Sequence, residues 1–174
     1  MEYSELIRAR RSYRCFRPEP VPAPMVETIA KAGLLAPSGK SVYPCHFIIV
    51  DDAAELQQLS QAKAQGASLL AHAPVAIVVV ADTAQTDVWI EDASIATTLI
   101  MLEAENQGLG ACWVQMRLRS GANGEPATNN LRTVLNLSDS QEVLAVVAVG
   151  YKVEPKPAYT DADLKTDRIH RLKM

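Results

Sequence analysis

The chain has 174 residues, of which 48% are hydrophobic and 21% are charged. These values are typical of one globular domain and exclude fibrous and intrinsically disordered classes. The three cysteines form no Cys-x-x-Cys pair, so we expect no disulfide framework and no zinc site, and we expect a reducing, cytoplasmic location. The longest apolar stretch contains His72 and Pro74 and is shorter than the ~20 residues of a membrane-spanning helix. No signal sequence opens the chain, so we expect neither export nor a membrane partner.

The formal net charge of −3 conceals an uneven distribution of charge along the chain. Five arginines and no acidic residue lie between Leu6 and Pro18, so this segment carries +5 and the remainder carries −8. The concentration of arginines in one short segment of an otherwise acidic protein is the first indication of function in this sequence.

The spacing of apolar residues predicts five helices and four strands within a single domain over residues 1–174. In chain order they are a helix over 3–10 with Ser4 as its N-cap, a helix over 24–35, a strand over 46–50, a helix over 53–64, a strand over 74–81, a helix over 87–107, a strand over 111–116, a helix over 126–136 and a strand over 143–149. From Glu154 onward the tail is rich in proline and polar residues. Because helices and strands do not alternate regularly, we expect the α+β class with one mostly buried sheet.

The predicted helix over 87–107 is unusual because its middle, residues 93–102, is almost entirely apolar or small. Such a helix is buried on most sides, either in the core or between two subunits. The acidic pair Glu91 and Asp92 lies at its start, where carboxylates interact favourably with the helix dipole, so stability alone explains them.

The segment Arg10-Arg11-Ser12-Tyr13-Arg14 holds the strongest chemical signal. Several guanidinium groups that converge with a hydroxyl group suit a phosphate monoester better than an extended polymer. Two other interpretations remain open, namely a nucleic-acid contact and a solvated helix end. The absence of a second basic patch in the sequence argues against nucleic acid.

Other candidate motifs are weaker. The loop at residues 36–41 has small and hydroxyl residues that can bind a polar ligand edge. Gly108-Leu109-Gly110 lacks the third glycine of a dinucleotide-binding loop and follows a helix, which disfavours a Rossmann domain. The three histidines have no metal-pair spacing, and no Gly-x-Ser-x-Gly nucleophile motif occurs. Cys112 lies in an apolar strand and is expected to be a buried, unreactive thiol.

In this order, the segments resemble the nitroreductase-like flavoprotein family, particularly its short members. The resemblance covers residues 3–150. The motifs are Arg10-Arg11-Ser12-Tyr13-Arg14, Ala36-Pro37-Ser38 with Pro44 and the strand Phe47-Ile48-Ile49-Val50, Glu91-Asp92-Ala93-Ser94, and Gly108-Leu109-Gly110-Ala111-Cys112-Trp113. Each motif alone is weak, but four in the right order are fairly specific.

The resemblance implies an α+β fold with a central, mostly antiparallel sheet flanked by helices. It implies a homodimer of the domain-swapped type with two FMN molecules at the subunit interface, and a tail over 154–174 that extends over the partner subunit. The implied cofactor-binding residues are Arg10, Arg11, Ser12 and Arg14 in one subunit, Pro37, Ser38, Gly39 and Ser41 from the partner subunit, and Gly110 on the flavin's other side. Gln115 is a further candidate to face the cofactor, and a structural role is the alternative for it.

The chain departs from the family pattern at two places. Ser41 stands where the family usually has Asn, and Tyr43-Pro44-Cys45 stands where it has Gln-Pro-Trp, so hydrogen bonds to the flavin or substrate are expected to differ.

Many relatives also place a basic residue of the tail against the phosphate. Here the candidates are Lys156, Lys165 and Arg168, and we select Arg168.

The function implied by the resemblance is an FMN-dependent oxidoreductase that works by a two-step exchange. NADH or NADPH reduces the flavin, and a flat acceptor such as a nitroaromatic compound or a quinone then takes the electrons. The alternative is a non-enzymatic protein that binds a flavin or another phosphorylated metabolite as a sensor or carrier. If the chain binds FMN, Arg11→Ala is expected to lose the flavin.

Overall fold

A computed structural model describes residues 1–172 of the chain. Its helices are α1 (Tyr3–Ala9), α2 (Ala23–Leu34), α3 (Ala53–Gln61), α4 (Trp89–Asn106) and α5 (Ala127–Leu135). Its strands are β1 (Cys45–Val50), β2 (Val75–Asp82), β3 (Leu109–Gln115) and β4 (Gln141–Tyr151). Within these described residues, every helix is too short or too polar to cross a membrane.

The four strands form one sheet in the order β1-β2-β4-β3, and all three neighbouring pairs are antiparallel. The two inner strands are runs of β-branched and small residues, as expected for strands with both faces covered. β1 and β3 are the two edges of the sheet. The prediction of an α+β fold with a buried, mostly antiparallel sheet is confirmed.

Two hydrophobic cores lie on opposite faces of the sheet, because successive side chains of a strand point to opposite sides. In β2, Val78 and Val80 belong to the core that also contains residues of α3 and α5. The neighbouring residues Ile77 and Val79 belong to the core that α2 and α4 cover. The molecule therefore has three layers, with helices above and below the sheet.

The elements agree with the predicted ones except at their ends. Ser4 is not the N-cap of α1, because the helix begins at Tyr3 and Glu2 occupies the cap without a side-chain hydrogen bond. α4 begins at Trp89, two residues later than predicted, because a turn stabilised by Asp82 and Thr86 side chains precedes it. β4 is longer than predicted because it pairs along both sides, with β2 and with β3.

The chain between α1 and α2 packs against the β3 end of the sheet. Ser12 forms a parallel bridge with Ala111, and the Tyr13 N–H donates to the Ala111 carbonyl at 3.0 Å. Gly110 permits this approach: a Cβ atom there would lie 2.9 Å from the Cβ and 2.8 Å from the Cγ of Tyr13, whose side chain is buried. The arginine-rich segment is thus fixed to an edge strand.

We predict that Gly110→Ala destabilises the protein by about 1–3 kcal/mol. The added Cβ would contact the Cβ and Cγ atoms of buried Tyr13, which cannot move without displacing the arginine-rich segment. Urea unfolding measures this change. Ala122→Ser, which also adds one heavy atom but at an exposed turn, is the control and should change stability little. Equal stability of Gly110→Ala and the native chain would contradict the close packing.

Candidate functional site

Two of the five clustered arginines are bound by the C-terminal tail of the same chain. Arg8 forms an ion pair with Asp161 at 2.6 Å. Arg11 donates to the carbonyl of Pro157 at 2.6 Å, and its guanidinium lies 4.3 Å from the centre of the Tyr159 ring. These contacts attach the tail to the N-terminal segment, and the hydrogen bond to Pro157 uses one terminal nitrogen of the Arg11 guanidinium group.

The tail also brings one lysine to the segment. The Lys156 ammonium donates to the Ser12 carbonyl at 2.6 Å, and its backbone N–H donates to the Tyr13 hydroxyl at 3.0 Å. Arg168, the tail residue predicted for this role, lies exposed in a short 3-10 turn at Thr166–Arg168. Of the three tail candidates, Lys156 is therefore the one that the structure places at the arginine segment.

Arg10 and Arg14 are different from their neighbours. Within residues 1–172, neither guanidinium group forms a hydrogen bond or an ion pair. Burial raises the pKa of the Cys112 thiol in β3, and the positive charge of nearby Arg14 acts in the opposite direction and lowers this pKa. Two free guanidinium groups on a segment fixed to a sheet edge can bind a compact anion at that edge.

Lys63, in the loop after α3, is a basic residue at this edge beyond those predicted from the sequence. Its ammonium group donates to the carbonyl of Gln115 at the end of β3, at 2.9 Å. Burial disfavours the charged form and lowers the pKa of Lys63, and the nearby positive charge of Arg119 lowers it further. Lys63 is isolated in a polar loop, so no sequence pattern marks it.

Gln115 is held in place by its own strand. Its amide oxygen accepts from the Trp113 indole at 2.8 Å, and its amide nitrogen donates to the Arg117 carbonyl at 3.0 Å. Both ends of the Gln115 side chain are thus engaged within the chain. Immediately beyond it, Arg117, Arg119 and Trp89 line a cavity of about 650 Å³, large enough for a small molecule.

The loop after α2 contains the second group of predicted site residues. Gly39–Ser41 form a short 3-10 turn in which Lys40 and Ser41 have left-handed backbone angles, with φ of 54° and 56°. Asp92 of α4 accepts hydrogen bonds from Ser38 and Gly39 of this loop and is buried. The explanation of Asp92 by the helix dipole alone was therefore incomplete.

A small pocket lies behind this loop, lined by Pro37, Tyr43, Cys45, Phe47 and Asp92 among others. It measures about 70 Å³, whereas pockets that enclose drug-sized ligands measure about 300–1,000 Å³. The pocket is too small to enclose a flavin. In one chain, the two groups of predicted site residues lie on separate elements, with the arginines at β3 and Pro37–Ser41 against α4.

Comparisons with known proteins identify the family. The sequence model that describes the nitroreductase family matches residues 7–68 and 61–151 of this chain. The chain belongs to the nitroreductase family. The predicted resemblance is confirmed.

A relative from Archaeoglobus fulgidus, to which NADH dehydrogenase or NAD(P)H nitroreductase activity is provisionally assigned, is 36% identical over 99% of this chain and 98% of its own. An FMN-dependent nitroreductase from Clostridium difficile R20291 has the same fold, with a TM-score of 0.94 and 39% identity over 98% of this chain and 99% of its own. A structure from Bacteroides thetaiotaomicron, also provisionally assigned as an NADH dehydrogenase or NAD(P)H nitroreductase, has a TM-score of 0.88 and 29% identity over 98% of this chain and 97% of its own.

The cysteines of this nitroreductase-family chain differ in their surroundings, and all three are free thiols. Cys15 is exposed, whereas burial raises the pKa of Cys112. Burial and, to a smaller extent, the charge of Asp92 raise the pKa of Cys45 to about 11. The expectation that Cys112 is a buried thiol agrees with the structure.

We predict that iodoacetamide alkylates Cys15 first at pH 8, as measured by mass spectrometry of peptides. With a pKa of about 11, roughly one Cys45 thiol in a thousand is ionised at that pH. The alkylation rate of Cys45 should rise about tenfold per pH unit up to its pKa. Alkylation of Cys45 as fast as Cys15 at pH 8 would contradict the burial of Cys45 beside Asp92.

Proposed function

We propose that the chain is an FMN-dependent oxidoreductase that uses NADH or NADPH as its reductant. The observation that supports this most is the pair of free guanidinium groups, Arg10 and Arg14, on a segment fixed to the edge of the sheet. A phosphate monoester is the ligand that such a pair suits best. The provisional NAD(P)H nitroreductase assignment of the relative and the FMN-dependence of the structural neighbour support the same cofactor and reductant.

The residues present fit FMN. Arg10, Arg14 and Ser12 would bind the phosphate and ribityl chain, and Lys63 stands beside the strand end at which the flavin's polar edge would lie. Bound FMN supplies the redox chemistry, taking a hydride from the nicotinamide and passing electrons to a flat acceptor. The chain contributes binding, orientation and positive charge, which stabilises negative charge that develops on the ring system. The cavity beyond Gln115 offers room for an acceptor such as a nitroaromatic compound or a quinone.

We further propose that two copies of the chain complete each site. One chain keeps its arginine segment and its Pro37–Ser41 loop on different elements, and the pocket behind the loop is too small for a flavin. An apolar surface lies over α1, α2 and α4. It is formed by the exposed residues Tyr3 and Leu35 and by the half-buried residues Leu6, Leu99 and Leu102. A second copy would cover this surface and bring its own Pro37–Ser41 loop to the flavin.

The same proposal includes the position of the C-terminal tail and the location of the protein in the cell. Residues 156–161 bind the N-terminal segment of the same chain, and extension of the tail over the partner subunit remains a prediction. Contact of Arg168 with the phosphate also stays a prediction, and Lys156 is the tail lysine that contacts the arginine segment. Three free thiols suit a reducing cytoplasm.

A non-enzymatic flavin carrier is the competing function, and rapid mixing distinguishes the two. The purified protein should be yellow, and anaerobic stopped-flow mixing with NADH or NADPH should remove the absorbance of the oxidised flavin near 450 nm. Addition of a quinone should restore it. A protein that binds FMN but is not reduced by either nicotinamide would be a carrier, and a colourless protein that takes up no FMN would refute the proposal.

We predict that Leu35→Arg produces a monomer with weakened FMN binding, because Leu35 is 81% exposed in one chain and lies in the proposed interface. Sedimentation velocity and FMN titration measure the two effects. Val134→Arg, at a partly exposed position on α5, is the control and should remain dimeric. A wild-type chain that is monomeric with FMN bound would contradict the shared site.

A further inference from the structure

The carboxylate of Asp92 joins the first turn of α4 to the loop after α2. Asp92 is buried, with 4% of its surface exposed. The Ser38 hydroxyl donates to Oδ2 at 2.7 Å, and the Gly39 N–H donates to Oδ1 at 3.0 Å. Both carboxylate oxygens are thus engaged by two successive residues of the loop.

In this arrangement the hydroxyl proton of Ser38 is already used in the hydrogen bond to Asp92. A serine hydroxyl has one proton to donate, and here it is directed to an acceptor-only carboxylate. The same Oγ accepts the N–H of Tyr43 at 2.9 Å, so it also holds the far end of the loop. Ser38 therefore has no proton left to donate to a flavin.

The loop enclosed by these bonds has an unfavourable backbone. Lys40, Ser41 and Tyr43 all have positive φ, of 54°, 56° and 54°, although none is glycine. Such angles are costly for residues with a side chain and persist only where the surroundings impose them. The contacts at Ser38 and Gly39 begin this strained stretch, and the contact from Tyr43 to Ser38 ends it.

We propose that Asp92 is a positioning residue which, through Ser38 and Gly39, holds the loop from Ser38 to Tyr43 in its flavin-facing shape. In this arrangement Ser38 is a support for the loop, and the exposed residues Lys40 and Ser41 are the ones that meet the flavin bound to the second copy. The inference rests on the proposed function, since it assumes that this loop contacts FMN.

The test compares FMN affinity with the stability of the protein without FMN. Apoprotein of Ser38→Ala, Asp92→Ala and the double variant is titrated with FMN by flavin fluorescence, and the melting temperature of each apoprotein is measured. Each single variant should raise the FMN dissociation constant by about tenfold or more, since each removes a hydrogen bond to a charged group. The double variant should be little worse than the weaker-binding single variant, because both remove the same support.

Two further variants separate positioning from a general loss of structure. Ser38→Thr keeps the hydroxyl and should retain most of the affinity. Glu91→Ala, which removes the exposed neighbouring carboxylate in the same turn, should leave affinity unchanged. If Asp92→Ala does not fold, the comparison of Ser38→Ala with Ser38→Thr still decides whether the hydroxyl matters.

Three outcomes would overturn the inference. The first is a lower melting temperature with unchanged FMN affinity in Ser38→Ala and Asp92→Ala, which indicates a purely structural role. The second is additive losses in the double variant, which indicates that Ser38 binds the flavin independently of Asp92. The third is a wild-type chain that does not bind FMN, and that result alone would refute the proposed function as well.

Discussion

The attachment of the arginine-rich segment to the edge strand β3 is the contact on which the candidate site depends. It consists of the bridge between Ser12 and Ala111 and of the close packing of Tyr13 on Gly110. Without this contact, a run of arginines would spread into solvent because like charges repel. With it, Arg10 and Arg14 are held beside a rigid strand while Arg8 and Arg11 bind the tail.

The second constraint is that the proposed site residues lie on separate elements of one chain, with the arginine segment at β3 and the loop after α2 at the first turn of α4. α4 covers one face of the sheet and, through Asp92 at its first turn, also holds the loop after α2. Its other side, with α1 and α2, presents apolar residues to the exterior. The helix that stabilises the core of one chain thus also places that chain's loop beside the proposed dimer surface.

Much of the fold follows from local patterns in the sequence. The β-branched runs of β2 and β4 predict strands that are buried on both faces. The apolar middle of α4 predicts a helix without a polar face, and in one chain part of that helix, including Ile95, is exposed. The segment from Arg10 to Arg14 is conspicuous in the sequence because its positive charge contrasts with an otherwise acidic chain. Helix ends were predicted less well, since they depend on turns such as the one before Trp89.

The parts of the site that were missed depend on contacts between distant residues. Asp92 meets a serine 54 positions earlier, and Lys63 meets Gln115, 52 positions later. Neither pairing leaves a local pattern in the sequence. The contacts of Arg11 with Pro157 and Tyr159, about 150 positions later, likewise leave no local pattern, and its contact with the phosphate stays a prediction.

The central claim is that this arginine segment holds the phosphate of a flavin. The most direct measurement compares the dissociation constants of FMN and riboflavin, which share the ring and the ribityl chain and differ only in the phosphate. Because a hydrogen bond to a charged group contributes about 1.5–3 kcal/mol, FMN should bind at least about tenfold more tightly than riboflavin. This preference should shrink in Arg14→Ala. Equal affinity of the native chain for the two flavins would contradict the account.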